Sequence, residues 1–293
     1  MVNNAPSMTG VAQNTNCQIY FECFGQPDNG PALILVNGLG SQCINYQPAW
    51  CNMFAARGLF VIRFDNRDMG LSTHFTHASA SDQGQCYQLS DMANDVVAVM
   101  DALELAGAHI MGLSMGGMIV QTVAIEHPQR VLSLTSVMSS TGEAEYGTSA
   151  EAALRILIAP PATDRASYLS AHIAGLREWG SPEFADEARW TADAEAAFAR
   201  CFDPAGTTRQ FMAVRSSPLR ADALRSVRIP TLVMHGDQDT LIDQSGGRRT
   251  AELIPDAHFE LIEGMGHDYP PQLWPKWVDL VVDHIQRAEE SRS

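Results

Sequence analysis

Ser114 is the residue whose surroundings most clearly predict chemistry. It lies in Gly112-Leu113-Ser114-Met115-Gly116, which fits the pattern G-x-S-x-G of a serine on a sharp turn from a strand into a helix. The glycines allow the close backbone approach that such a turn needs, and the helix that follows directs its N-terminal amides at an anion forming there. The motif alone is weak evidence, but an apolar run before it and a helix-like stretch after it supply the required context. We therefore predict that Ser114 is a nucleophile.

A serine hydroxyl is a poor nucleophile at neutral pH and needs a base. Of nine histidines, His267 stands out because it follows an apolar run in a glycine-rich loop, residues 263–267. His235 ends another apolar run, where a core histidine bonded to the backbone is expected. His74 and His77 lie in a polar loop, where surface exposure is the default and a place at the rim of a pocket is the alternative.

The base in turn needs a carboxylate that fixes its tautomer and stabilises its charged form. Asp239 lies three residues beyond Gly236, at the mouth of an apolar run, and is the predicted acid. Asp237 and Asp243 are its competitors, and Asp237 is expected to serve the turn itself. A serine, a carboxylate and a histidine at three successive strand ends are stronger evidence for a catalytic triad than any one of them alone.

Acyl transfer also needs amide donors for the oxyanion that forms on the carbonyl. The backbone N–H of Met115, directly after the nucleophile, is one predicted donor. The second is the N–H of Leu39, in the loop Asn37-Gly38-Leu39-Gly40 that follows an apolar run. The alternative for this loop is an ordinary glycine turn.

The elements that must position these residues follow from hydrophobic patterning. Short apolar runs closed by turn residues are typical of buried parallel strands, and their alternation with helix-like stretches predicts a sheet covered by helices. Strands are predicted at 19–24, 32–36, 60–64, 109–113, 131–138, 231–235 and 258–262, and helices at 90–105 (capped by Ser90 or Asp91), from 115 to about 126, at about 247–253 and at 274–287.

A change of composition divides the chain. Residues 140–216 are rich in Ala and Glu, have helical apolar spacing and show no strand pattern, and three Pro- or Gly-containing breakers separate about four helices. We interpret them as a helical insertion rather than as one long crossover. The predicted organisation is an α/β core of residues 1–139 and 217–293 with a helical cap of residues 140–216.

Composition limits the partners and the compartment. The 293 residues carry a formal charge of −15, which argues against nucleic acid or an anionic membrane as the main partner. No apolar run reaches the length of a membrane span, and the N-terminal residues do not read as a signal peptide. A cytoplasmic protein is expected, and a homodimer is left open. The six cysteines are expected to be reduced thiols, and Cys43 with Cys51 is the pair to examine first for a disulfide.

The chain resembles the α/β-hydrolase superfamily over essentially its full length. The resemblance rests on ILVNGLG (34–40), VIRFDNRDMGLST (61–73), HIMGLSMGGMIVQ (109–121), PTLVMHGDQD (230–239) and EGMGH (263–267). RFDNRDMGLST together with GLSMGG is most similar to the branch of serine esterases that contains aclacinomycin methylesterase and its bacterial relatives.

The resemblance implies a mostly parallel, roughly eight-stranded sheet with a helical cap after the sixth strand. It implies Ser114 as nucleophile, Asp239 as acid and His267 as base, with the amides of Leu39 and Met115 forming the oxyanion hole. Many relatives have His-Gly where this chain has Asn37-Gly38, and we expect the Asn37 side chain to hold the loop by hydrogen bonding. Asp65, Arg67 and Asp68 resemble the family's structural turn, tied by charge pairs.

These residues predict a serine hydrolase that cleaves small-molecule carboxylic esters through an acyl-enzyme, with no metal or organic cofactor. Carbon–carbon bond hydrolysis, lactone opening and perhydrolysis use the same triad and form the alternative. A ligand-binding relative without turnover is a further alternative from another class. Serine in the nucleophile position argues against the dehalogenase and epoxide-hydrolase branches, which use aspartate there.

Overall fold

One eight-stranded sheet organises the chain. In the computed structural model, which describes residues 5–76 and 86–292, the strands lie in the order β1-β2-β4-β3-β5-β6-β7-β8. β1 and β2 pair antiparallel with each other, β2 pairs antiparallel with β4, and all other neighbours are parallel. The strands are β1 (Met8–Asn14), β2 (Cys17–Phe24), β3 (Ala32–Val36), β4 (Phe60–Phe64), β5 (Ala108–Leu113), β6 (Val131–Val137), β7 (Thr231–Gly236) and β8 (His258–Ile262).

Helices cover both faces of this sheet. The described helices are α1 (Pro48–Ala55), α2 (Leu89–Ala102), α3 (Met115–Glu126), α4 (Glu151–Leu157), α5 (Arg165–Trp179), α6 (Glu187–Arg200), α7 (Pro204–Ser216), α8 (Ala221–Leu224), α9 (Ser245–Leu253) and α10 (Trp274–Glu290). Buried apolar side chains of α2 and α3 belong to one cluster, and buried apolar side chains of α1 and α10 belong to a second cluster on the opposite face. Every residue of β3, β4, β5 and β7 is therefore buried, which explains why these strands read as continuous apolar runs.

The predicted α/β architecture is confirmed, and the differences lie at its edges. β1 was not predicted, because this edge strand is largely exposed and its sequence, MTGVAQN, is mostly polar or small. The predicted cap of α2 is wrong: Gln88 precedes the helix, and the Asp91 carboxylate accepts its backbone N–H at 2.8 Å. His77 lies outside the described residues, whereas Cys17, Cys23, Cys43, Cys51 and Cys201 lie within them and are free thiols, so Cys43 and Cys51 form no disulfide with each other.

Residues 140–216 contain four helices, α4 to α7, and no strand, in keeping with the predicted helical insertion. They follow β6 in the chain and precede α8 and β7, the next strand of the sheet. Whether they form a separate domain, with boundaries at 140 and 216, stays a prediction. Among the described residues no helix has the length and apolar character that crossing a membrane requires.

The second apolar cluster is centred on Trp50 of α1, which is fully buried. Its ring stacks on Trp274 with a centroid distance of 5.3 Å and an interplanar angle of 1°, and on Tyr269 at 5.7 Å. Trp277 contacts it edge-on at 5.5 Å. Since α1 and α10 meet through these rings, we expect Trp50 to contribute strongly to stability.

We predict that Trp50→Ala lowers the free energy of unfolding by about 3–5 kcal/mol, because it removes a large buried ring and leaves a cavity. Urea denaturation followed by circular dichroism measures this change. Leu219→Ala is the matched control, since Leu219 is 66% exposed and should change the unfolding free energy by no more than about 0.5 kcal/mol. A loss for Trp50→Ala as small as that of the control would contradict this account of the core.

Candidate active site

The three residues predicted to form a triad meet at the carboxyl ends of three parallel strands. Ser114 Oγ lies 2.9 Å from His267 Nε2, and His267 Nδ1 lies 2.7 Å from Asp239 Oδ2. Ser114 follows β5, Asp239 follows β7 and His267 follows β8. The three side chains therefore form one continuous hydrogen-bonded series, although 153 residues separate the first from the last.

Ser114 stands on a strained turn between β5 and α3. Its backbone has φ 55° and ψ −117°, a conformation that L-residues seldom adopt. The flanking glycines are needed there, because a Cβ on Gly112 would lie 2.1 Å from the carbonyl oxygen of Gly116. A Cβ on Gly116 would lie 2.2 Å from the carbonyl oxygen of Val36, at the end of β3. This turn raises the Ser114 hydroxyl above the sheet edge and starts α3 directly behind it.

Asp239 is buried and held in place by its neighbours. Its Oδ1 accepts hydrogen bonds from the backbone N–H groups of Leu241 at 3.0 Å and Ile242 at 2.9 Å. Burial by itself would raise the pKa of Asp239, but the charge of His267 and hydrogen bonds from His235 and His267 lower it to about 2. A depressed pKa stabilises the folded state above about pH 4, and this contribution is lost as the pH falls towards 2. Asp239 is thus a carboxylate at every pH at which a histidine base can work.

The competing residues have other partners. His235 Nε2 lies 2.8 Å from the carbonyl oxygen of Ile242, as expected for a core histidine, and 3.3 Å from Asp239 Oδ2. Asp237 accepts the backbone N–H of Gly264 at 2.8 Å, so its carboxylate joins the turn after β7 to the loop after β8, and its predicted role within its own turn stays a prediction. Asp243 accepts the N–H of Ser245 at the start of α9. Within the part of the chain that the structure describes, neither of these two carboxylates bonds to the imidazole of His267, which Asp239 binds.

The predicted oxyanion loop approaches Ser114, the predicted nucleophile, closely. A Cβ on Gly38 would lie 3.3 Å from Ser114 Cβ and 3.9 Å from Ser114 Oγ, so a side chain at this position would press tightly against Ser114. The N–H of Gly40 donates to the Gln210 side chain at 2.9 Å, which ties the loop to α7. The amides of Leu39 and Met115, the predicted oxyanion donors, have no acceptor among the described residues.

The structure corrects one expectation about this loop. Asn66 Nδ2 donates to the backbone carbonyl of Asn37 at 3.0 Å, whereas the Asn37 side-chain nitrogen is buried without a partner among the described residues. The expectation that the Asn37 side chain holds the loop is therefore wrong, because the neighbouring asparagine does so through the main chain.

The segment after β4 is the structural turn that was predicted. Buried Asp65 accepts the backbone N–H of Cys43 at 2.7 Å and pairs with Arg200 at 2.7 Å. Arg67 pairs with Asp95 at 2.7 Å. Asp68 pairs with Arg209 at 2.7 Å, and Arg209 also reaches Asp203 at 3.0 Å. Two arginines from the inserted helices thus anchor them to the core.

One place in this network has the residue types of a metal site. Ligand atoms of Asp68, His74 and Asp203 lie within 4.8 Å of one another. The guanidinium of Arg209 already pairs with both carboxylates and supplies the positive charge that a cation would bring. His74 accordingly lies 2.7 Å from Asp203, as part of an anchoring cluster.

A cavity of about 790 Å³ opens onto Ser114 and His267. Core loops and inserted helices both contribute to its wall, which is mainly apolar. The apolar residues are Met118, Leu154, Leu157, Leu176, Trp179, Trp190, Phe211, Val214, Leu241 and Ile242. A polar patch interrupts this wall, formed by Asn45, Gln47, Arg189, Asp193 and Tyr269.

Sequence reasoning missed the residues that pack against the loop of His267. The His267 N–H donates to the carbonyl of Trp179, and the Gly266 N–H donates to the Ser181 hydroxyl. That hydroxyl in turn donates to the carboxylate of Asp268. Asp268 is next to the predicted base, which is the one signal the sequence offers. Nothing in the sequence pairs it with residue 181, which is 87 positions away.

Known proteins share this fold and about a quarter of the aligned residues. The family model of the α/β hydrolase fold matches residues 31–269. Rhodomycin D methylesterase DauP of Streptomyces sp. (strain C5) is 27% identical, over 92% of this chain and 95% of the relative. The enol-lactonase "3-oxoadipate enol-lactonase 2" of Acinetobacter baylyi is 26% identical, over 83% and 84%. Esterase EaEST from Exiguobacterium antarcticum superposes with a TM-score of 0.78 at 21% identity, over 95% of this chain and 100% of that one, which shows a common fold.

We predict that Asp239→Asn lowers kcat for ester hydrolysis by about 10³–10⁴-fold, because the amide neither fixes the productive tautomer of His267 nor stabilises its charged form. Initial rates at saturating substrate measure this. Asp237→Asn is the matched control: an asparagine oxygen can still accept the Gly264 N–H, so its kcat should stay near that of the unmodified protein. Equal losses in the two variants would contradict the assignment of Asp239.

Proposed function

The chain belongs to the α/β-hydrolase fold family, and we propose that it hydrolyses carboxylic esters with Ser114 as nucleophile, His267 as base and Asp239 as the acid that orients the base. The observation that carries this proposal is the series of two hydrogen bonds, 2.9 Å and 2.7 Å long, from Ser114 through His267 to Asp239. The methylesterase DauP is a relative over nearly the whole chain, which supports ester hydrolysis.

Acylation follows from this geometry. Ser114 Oγ attacks the ester carbonyl while His267 Nε2 takes its proton, and the carboxylate of Asp239 stabilises the imidazolium. The N–H groups of Met115 and Leu39 donate to the oxyanion of the tetrahedral intermediate. Proton transfer from His267 to the departing alkoxide releases the alcohol and leaves the acyl group on Ser114.

Deacylation repeats these steps with water. His267 removes a proton from a water molecule as it attacks the acyl carbonyl, and the same two amides stabilise the second intermediate. Collapse of that intermediate returns the proton to Ser114 and releases the carboxylic acid. Protein groups supply every proton transfer and charge stabilisation in this scheme.

The cavity indicates the class of ester. We propose that residues 140–216 act as a cap whose apolar side chains cover an apolar acyl or alcohol group and exclude water from the intermediate. In the polar patch the Asp193 carboxylate accepts a hydrogen bond from Gln47 at 3.0 Å, and Arg189 lies 3.6 Å from it. This patch favours a substrate that also carries a polar substituent.

Lactone opening is a second candidate, because an enol-lactonase of Acinetobacter baylyi is also similar over most of its length. A lactone is a cyclic ester, so the same attack, oxyanion and proton transfer apply. We further propose a cytoplasmic location, supported by the free thiols of Cys17, Cys23, Cys43, Cys51 and Cys201. A homodimer stays a prediction from the sequence.

We predict that the protein hydrolyses p-nitrophenyl butyrate and p-nitrophenyl hexanoate faster than p-nitrophenyl acetate. The longer acyl groups should contact more of the apolar wall of the cavity. Release of p-nitrophenolate measures these rates, with Ser114→Ala as the variant expected to lose hydrolysis by at least about 10³-fold. Full activity in Ser114→Ala would overturn the proposed site, and failure on a panel of esters and lactones would overturn the proposed function.

A further inference from the structure

We infer that the end of α5 and the carboxylate of Asp268 form a clamp that positions the base. The clamp consists of residues 179–181, at the C-terminal end of α5, and residues 266–268, in the loop of His267. Ser181 and Asp268 are positioning residues in it, because their hydrogen bonds act on the loop that carries His267. This inference rests on the proposed function of His267.

Hydrogen bonds join the two halves of the clamp. The backbone N–H of His267 donates to the carbonyl of Trp179 at 2.5 Å. The N–H of Gly266 donates to the Ser181 hydroxyl oxygen at 2.8 Å. The Ser181 hydroxyl in turn donates to Asp268 Oδ1, which also accepts the Ser181 N–H at 3.0 Å. Three consecutive residues, Gly266 to Asp268, are thus hydrogen-bonded to residues 179–181.

The packing of this contact leaves no room for slippage. A Cβ on Gly266 would lie 2.4 Å from both the carbonyl oxygen of Trp179 and the carbonyl carbon of Gly180. A Cβ on Gly180 would lie 2.4 Å from the carbonyl oxygen of Leu176 and 3.2 Å from Asp268 Oδ2. The two backbones therefore touch directly, and any shift of the end of α5 must move the loop that carries the base.

The burial of the clamp indicates that it is more than a surface contact. Ser181 is 0% exposed and Asp268 only 5% exposed. Asp268 Oδ2 has no hydrogen-bond partner among the described residues. Leaving one oxygen of a buried carboxyl group unpaired costs free energy, so the two bonds to its other oxygen must offset that cost.

The same stretch of chain also contacts the loop of the predicted acid. The Thr240 hydroxyl, one residue after Asp239, donates to the carbonyl of Glu178 at 2.9 Å. The end of α5 is thus bonded to the loops of both the acid and the base, while Ser114 is held by the sheet and α3. Catalytic groups misplaced by about 1 Å can lose about 10²-fold in rate, so a loosened clamp should impair proton transfer while the cavity still binds substrate.

Ser181→Ala tests the clamp, with Ser217→Ala as its matched control. The Ser217 hydroxyl makes parallel bonds: it accepts the N–H of Leu89 at 2.8 Å and donates to the carbonyl of Ala213 at 2.7 Å, remote in sequence from the loop of His267. We expect Ser181→Ala to lower kcat by about 10- to 100-fold with KM changed less than about threefold. Ser217→Ala should leave both within about twofold of the unmodified protein.

Two substitutions of Asp268 separate position from charge. Asp268→Asn retains an oxygen that can accept both bonds from Ser181, so kcat should stay within about threefold of the unmodified protein. Asp268→Ala removes the acceptor and should match Ser181→Ala, and the double variant with alanine at both positions should lose little more than either alone. A loss in Asp268→Asn as large as that in Asp268→Ala, or an unchanged kcat in Ser181→Ala, would overturn the clamp.

Proton NMR separates this inference from the proposed function. The His267 Nδ1–H proton, bonded to Asp239, should give a low-field resonance in the unmodified protein, assigned by its loss in Asp239→Asn. The clamp predicts that this resonance broadens or vanishes in Ser181→Ala and persists in Ser217→Ala, whether or not any ester is hydrolysed. A resonance unchanged in Ser181→Ala would contradict the clamp, whereas an intact clamp without hydrolysis of any ester or lactone would contradict only the proposed function. If Ser181→Ala does not fold, Asp268→Ala gives the same comparison.

Discussion

The imidazole of His267 must reach a hydroxyl with one nitrogen and a carboxylate with the other, and this constraint explains much of the architecture. The ring lies 2.9 Å from Ser114 Oγ and 2.7 Å from Asp239 Oδ2. Parallel strands carry their carboxyl ends to one edge, so β5, β7 and β8 deliver the three residues to one place. The strained backbone of Ser114 then fixes the position of its hydroxyl, and the amides that bind Asp239 fix the position of its carboxylate.

The inserted helices complete this site in two ways. Leu154, Leu157 and Phe211 line the cavity above Ser114, while Arg200 and Arg209 anchor their helices to the buried aspartates of the turn after β4. The end of α5 reaches the loop of His267 itself. In the proposed function the cap binds the substrate and, through the proposed clamp, aligns the base, so the two roles depend mechanically on each other.

Much of this arrangement was predictable from sequence, because its signals are local. The runs at 32–36 and 60–64 coincide with β3 and β4, since a strand buried on both faces must be apolar throughout. The Ser114 turn was predictable because only glycines fit beside it. β1 was not predictable, since an exposed edge strand carries little hydrophobic pattern. The bond between Ser181 and Asp268 was not predictable either, because it depends on how an inserted helix settles on a distant loop.

Covalent trapping tests the central claim most directly. The protein would be incubated with a fluorophosphonate, digested, and its labelled peptide identified by mass spectrometry. The account predicts one phosphonate adduct on Ser114, formed at least about 10²-fold more slowly when His267 is replaced by alanine, because the hydroxyl then has no base. An adduct on another residue, or labelling of Ser114 at an unchanged rate without His267, would contradict it.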